Sequence, residues 1–119
     1  MLVYYASLSG NVRRFAARLP DGFEVYDIKE HPVAAGPFVL LTYTFSFGRI
    51  PKPVEAWLEQ NGSQLRAVAA SGNRNWGDLF GRAGDLIAAR YDVPLLHKFE
   101  LSGSQQDIEE FTRKAALHL

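Results

Sequence analysis

The chain contains no cysteine. A disulfide, a thiolate zinc site, an iron–sulfur cluster and a catalytic thiol are therefore excluded. A surplus of either charge is missing too: 13 Lys and Arg stand against 13 Asp and Glu, a formal net charge of +0. Nucleic-acid binders carry a basic surplus, so no nucleic-acid partner is expected. Long apolar runs are absent. Stretches such as Phe38–Leu41 fall far short of a bilayer span, so no membrane partner is expected. No basic segment leads into an apolar stretch near Met1, which argues against a signal peptide and, with cysteine absent, for a cytoplasmic location. His31, His97 and His118 fall on different elements with no H-x-x-x-H spacing, so no metal site is expected. What is present is ordinary for a folded domain: 119 residues, 47% hydrophobic and 22% charged. Residues 1–119 are expected to form a single domain.

Short apolar runs alternate with helical patterns along the chain, the sign of a parallel α/β sheet. Leu2–Ala6 is apolar on both alternations, as a strand buried on two faces must be. Asn11–Leu19 places Val12, Phe15, Ala16 and Leu19 at helical spacing. Further strands are expected at Phe23–Ile28, Phe38–Thr44, Leu65–Ala70 and Pro94–Phe99. A short helix is expected at Pro51–Glu59, opened by its proline. Asp78 is placed to cap a helix reaching about Tyr91, with Leu79, Phe80, Ala83, Leu86 and Ile87 as its stripe. Ser104 and Asp107 match a capping box for the last helix, whose stripe is Ile108, Phe111, Ala115 and Leu119. Residues 29–36 are too few for a crossover helix and read as the one weakly ordered stretch. The expected fold is a doubly wound five-stranded parallel sheet reduced by one crossover helix.

Open parallel sheets bind ligands beyond the carboxyl ends of their strands. Three segments leave strands there with unusual compositions. Ser7, Leu8, Ser9, Gly10, Asn11 and Val12 open the first helix. Small residues and hydroxyls beside a helix start suit a monoester phosphate; an ordinary N-capping serine explains them equally well. Thr42, Tyr43, Thr44, Phe45, Ser46, Phe47, Gly48 and Arg49 set aromatics beside hydroxyls, which favours a flat conjugated ligand unless the rings only cover the core. Ser71, Gly72, Asn73, Arg74, Asn75, Trp76 and Gly77 could aim backbone groups at a heterocycle, with Trp76 stacking on it. The second and third loops contain no Asp or Glu and contribute Arg49 and Arg74, so the rim of such a site is expected to be neutral to positive. Asn61-Gly62-Ser63 matches a glycosylation sequon but reads as the turn after the second helix.

These loops, with Arg14-Phe15, Val39–Thr44, Phe47-Gly48, Pro51, the run Ser71–Asp78 and the run Val93–Gly103, resemble the NrdI family nearly end to end and in order. The S-G-N-R-N-W-G-D and K-F-E-L-S-G stretches are the specific ones. The short loop after the third strand is similar to the compact form of the family. Val12 stands where many flavodoxin-like loops have Thr, which removes one hydroxyl but leaves the backbone N–H.

The resemblance implies a flavodoxin-like fold of strand order 2-1-3-4-5 with noncovalent FMN. The implied cofactor-binding residues are Ser7, Ser9, Gly10, Asn11, Val12, Thr42, Tyr43, Thr44, Phe47, Gly48, Ser71, Gly72, Asn73, Trp76 and Gly77. Phe45, Arg49 and Arg74 would face a partner. It further implies that reduced FMN reacts with O2 to give a superoxide- or peroxide-level oxidant, delivered to the dimanganese small subunit (NrdF) of class Ib ribonucleotide reductase for tyrosyl-radical formation. An electron donor, a reductase or a thioredoxin/glutaredoxin-type system, is implied as well. Such a protein is a redox accessory that needs no side-chain acid or base. The alternatives are an ordinary electron-transfer flavodoxin and a flavin-free module that binds a partner protein through its aromatic loops.

Overall fold

The runs Leu2–Ala6 and Phe38–Leu41 are apolar on both alternations because the strands they form are covered on both faces. The computed structural model describes residues 1–118. Strands β1 (Leu2–Tyr5), β2 (Glu24–Asp27), β3 (Phe38–Tyr43), β4 (Leu65–Gly72) and β5 (Leu95–Glu100) form one sheet. Its order is β2-β1-β3-β4-β5, with all pairings parallel. Helices α1 (Asn11–Ala17), α2 (Lys52–Asn61), α3 (Arg82–Tyr91) and α4 (Gln105–Ala116) cover it.

Alternation sorts the core into two layers. Val3, Val39, Leu41 and Ala69 pack with Phe15 of α1 and Ile108, Phe111 and Ala115 of α4. Tyr4, Phe38, Leu40 and Val68 face the other way, against Val54, Trp57 and Leu58 of α2 and Ile87 of α3. The capping box of α4 is formed as the sequence suggests: Ser104 Oγ accepts from Asp107 N–H, and the Asp107 carboxylate accepts from Ser104 N–H. Leu119, placed on the α4 stripe, lies outside the described residues.

Residues 29–36 form no helix, as their number requires, but they are firmly held. The Ala35 N–H donates to the Tyr4 hydroxyl at 2.9 Å, and Trp57 Nε1–H donates to the His31 carbonyl at 2.8 Å. Asn61 is buried beneath the segment. Its Oδ1 accepts from Ala34 N–H at 2.8 Å, and its amide donates to the Pro32 and Trp57 carbonyls. Side chains from β1 and α2 thus replace the absent crossover helix. The expectation of weak order is corrected on that ground: the bonds come from residues distant in sequence.

The third helix also differs from expectation. A 3₁₀ stretch spans Arg74–Leu79, and α3 begins only at Arg82, with Gly81 as its N-cap. Gly77 (φ 57°, ψ −121°) interrupts the 3₁₀ stretch with a conformation that a Cβ makes costly. Asp78 therefore does not cap α3, and Leu79 and Phe80 precede the helix instead of lining its stripe. Two residues earlier, β4 runs on to Gly72, so Ser71 and Gly72 are strand residues paired with Phe99 and Glu100. A Cβ on Gly72 would stand 2.6 Å from the Gly81 backbone nitrogen. Glycine there lets the strand end meet the start of α3.

Candidate functional site

A cleft of about 180 Å³ opens at the carboxyl ends of β3 and β4. One wall is Tyr43, Thr44, Phe45, Ser46, Phe47 and Gly48; the other is Ser71, Gly72, Asn73 and Trp76. Ser9 closes one end together with Leu8, and Leu79 and Leu101 complete the lining. All three segments singled out in the sequence thus converge. Leu8, Ser46, Leu79 and Leu101 were not candidates. Leu8 and Ser46 lay inside the chosen segments, and Leu101 lay inside the specific K-F-E-L-S-G stretch. Leu79 was hidden by its assignment to a helix.

Hydrogen bonds between strand ends fix the walls. Thr44 Oγ1 donates to the Ser71 carbonyl at 3.0 Å, and Ser71 Oγ donates to the Leu101 carbonyl at 2.6 Å. Thr42 is fully buried, and its hydroxyl donates to the Tyr43 carbonyl at 2.9 Å, so it supports the wall from below. Asn73 Oδ1 accepts from Asn75 N–H at 2.9 Å, the Asx turn that starts the 3₁₀ stretch. Phe45 and Arg49 exchange backbone hydrogen bonds, closing a tight hairpin. Within it Ser46 and Phe47 hold φ of 26° and 24°. Leu101 holds φ of 54°, so three of the four non-glycine residues with positive φ, among those described, line this cleft. Backbone strain is concentrated where a ligand site is expected.

The lining is apolar and exposed. Leu8 (68%), Phe47 (65%), Trp76 (49%), Leu101 (48%) and Phe45 (44%) account for most of the large apolar side chains left in solvent. The alternative, that the rings only cover the core, therefore fails for Phe45 and Phe47. No lining residue carries a charge. Tyr43 has its phenol pKa raised by burial, which keeps the proton on a wall donor. Neither arginine lines the cleft. Arg74 N–H donates to Glu100 Oε2 at 3.1 Å, its guanidinium lies 3.8 Å from Glu100 Oε1, and it stacks 4.7 Å over Phe80. Arg49 faces the far side of the hairpin. The lining is at the neutral end of the expected neutral-to-positive rim, because Glu100, arriving from β5, pairs with Arg74.

Ser7, Gly10, Asn11 and Val12 flank the Ser9 end of the cleft. Ser7 Oγ accepts from the N–H groups of Gly10 (3.1 Å) and Arg13 (3.3 Å). Among the described residues, the N–H groups of Ser9, Asn11 and Val12 have no acceptor within the chain. The Val12 side chain is in the core, so only its backbone serves this loop. Asn11 Oδ1 accepts from Arg14 (2.6 Å) and from the Ser102 hydroxyl (2.8 Å), which ties the loop to the turn after β5. An array of free N–H donors beside an uncharged aromatic cleft fits a phosphorylated, flat ligand such as FMN.

Residues 3–113 match the family model described as NrdI Flavodoxin like. The chain belongs to the NrdI family. A relative described as Protein NrdI, from Macrococcus caseolyticus (strain JCSC5402), is 46% identical over 114 residues, covering 96% of this chain and 88% of the relative. A short-chain flavodoxin associated with a bacterial microcompartment superposes with a TM-score of 0.74 at 20% identity, covering 97% of this chain and 93% of its own. That second likeness shows the fold. Among the described residues no group of His, Asp and Glu is placed to hold a metal ion, and no helix is long and apolar enough to cross a membrane.

Proposed function

We propose that the chain binds FMN in this cleft and activates the dimanganese small subunit, NrdF, of a class Ib ribonucleotide reductase. Membership of the NrdI family supports the cofactor and the link to the reductase. The observation that carries the reading is the convergence of the loops after β1, β3 and β4 on one uncharged, aromatic cleft beside unbonded N–H groups. Ser7, Ser9, Gly10, Asn11 and Val12 would hold the phosphate through backbone N–H groups and hydroxyls. Tyr43, Thr44, Phe47 and Gly48, on the platform set by Thr42, would flank one side of the ring. Ser71, Gly72, Asn73, Trp76 and Gly77 would take the other side or edge. The flavin, when bound and reduced, supplies the reaction with O2 that yields a superoxide- or peroxide-level oxidant. The protein's part is to bind, orient and shield it, as a single cytoplasmic domain served by an electron donor. Phe45 and Arg74 would contact NrdF beside the mouth, and Arg49 from the far side of the hairpin.

The test has two arms. FMN titration of the purified protein should give a yellow complex, and riboflavin should bind far more weakly. Ser9→Asp should weaken FMN binding by about tenfold or more, since it sets a carboxylate against a dianion. Undiminished FMN binding by Ser9→Asp would remove the loop from the phosphate site. A protein that takes up no FMN would be a flavin-free partner module. In the second arm the reduced protein, O2 and manganese-loaded NrdF should give a tyrosyl radical by electron paramagnetic resonance. A flavin complex that yields no radical would be an electron-transfer flavodoxin. Arg49→Glu with Arg74→Glu should weaken the NrdF complex while leaving FMN binding in place.

A further inference from the structure

The Phe45–Arg49 hairpin has a second side. Behind it, between α2 and α3, a groove of about 330 Å³ has Ile50 and Leu86 at its base and Phe45 as a wall, with Arg49, Lys52 and Arg90 along its edges. Glu55 is the single acid in it and is already paired with Arg90 at 3.1 Å. Among the described residues, Arg49 and Lys52 have no acidic partner. Folding does not explain Lys52. It begins α2, where the helix dipole disfavours a cation. Phe45 is likewise left half in solvent while forming a wall shared with the cleft. A chain of zero net charge thus gathers three cations against one carboxylate around an apolar floor.

We propose that this groove seats an acidic peptide segment of a partner protein. An apolar side chain of the segment rests on Ile50, Leu86 and Phe45, and its carboxylates meet Arg49, Lys52 and Arg90. An apolar anchor with a charged rim is the usual anatomy of such a contact. The cations are strung from the hairpin, past the start of α2, to the last turn of α3. That spread suits a run of carboxylates better than one compact anion. The site does not depend on FMN in the cleft, and its occupant would touch the cleft only through Phe45.

The test is a backbone-amide resonance titration of the full, isotope-labelled chain with the peptide acetyl-Glu-Asp-Leu-Asp-Phe-Glu-amide. The expected result is a saturable, salt-sensitive shift at Phe45, Arg49, Lys52, Leu86 and Arg90, with no response to the same peptide carrying Lys at every acidic position. Lys52→Glu should weaken binding by about tenfold. That variant should fold, because Glu suits a helix start. Arg49→Glu, exposed on the hairpin, serves if it does not. An absent saturable shift, an equal response to the Lys peptide, or a variant that binds as well as the parent overturns the proposal. Equal shifts of the same amides with inorganic phosphate would make the groove a small-anion site and overturn it as well.

Discussion

The ring of Phe47 meets the ring of Trp76 edge-on, with centroids 5.6 Å apart and planes at 79°. One comes from the loop after β3 and the other from the stretch after β4, so the contact bridges the two walls of the cleft. Rings that touch cannot lie on opposite faces of an inserted flat ligand. A flavin sandwiched between these walls must therefore part the pair. The expected outcome is strong quenching of Trp76 emission on FMN binding, with the Trp57 contribution measured separately in Trp76→Phe. Phe47→Ala should speed FMN association in stopped-flow mixing. An association rate unchanged by Phe47→Ala would mean that the pair does not gate the cleft.

Gly72 lies against the Gly81 backbone, and backbone has nowhere to yield. Gly72→Ala is expected to lower stability by about 1–3 kcal/mol. Denaturant midpoints with unchanged slopes would report it. Gly22→Ala is a poor control, because Gly22 has φ 103°. Gly36→Ala is a better one, because a Cβ there meets only Leu2 Cδ1 at an ordinary 3.6 Å.

The uncharged cleft bears on redox behaviour. Without a carboxylate in its lining, nothing there opposes the negative charge of a fully reduced flavin, so the two one-electron couples should lie close together. Asn73→Asp keeps the Asx-turn acceptor and adds one charge at the wall. It should lower the more negative couple by tens of millivolts and spread the two apart. Spectroelectrochemical titration of both proteins checks this. Couples already separated by several hundred millivolts in the parent would contradict it.

Asp107 joins β5 to the start of α4. Its Oδ1 lies 2.7 Å from His97 Nε2, and its Oδ2 accepts from Ser104 N–H and Oγ. Burial works to raise its pKa, but the bonds from Ser104 and His97 outweigh it and hold the carboxyl below its ordinary range. A folded-state pKa below the unfolded one gives stability that is present above the unfolded value and lost as pH falls through the folded one. Asp107→Asn should therefore be less stable at neutral pH, with the deficit shrinking below about pH 4. Denaturant midpoints across the acid range measure this.

The five strands, the helices that cover them and the three site loops could be read from the sequence, because each rests on local patterns: apolar runs, a capping box, small residues at a helix start; the strand order came only with the family resemblance. Two departures came from long-range partners and one from a local turn. Glu100 neutralises Arg74 across 26 positions of chain, which no loop composition shows. Tyr4, Trp57 and Asn61 hold residues 29–36 from β1 and α2. The start of α3 was misplaced because Asp78 had the right residue type for a cap, while the turn at Gly77 and Gly81 decided where the helix could begin.

The burial of Asn61 bears on how the protein can be produced. Asn61-Gly62-Ser63 is an acceptor sequence for N-linked glycan, and in the folded chain both ends of the Asn61 amide are engaged inside the structure. An oligosaccharyltransferase would meet this nitrogen only on a chain that had not yet folded. A sugar added there would take the place of the Pro32 and Trp57 contacts and prop the 29–36 segment off the sheet. Expression through a eukaryotic secretory route should therefore yield two pools, one bare and native and one sugar-bearing and misassembled, and Ser63→Ala should merge them into the first.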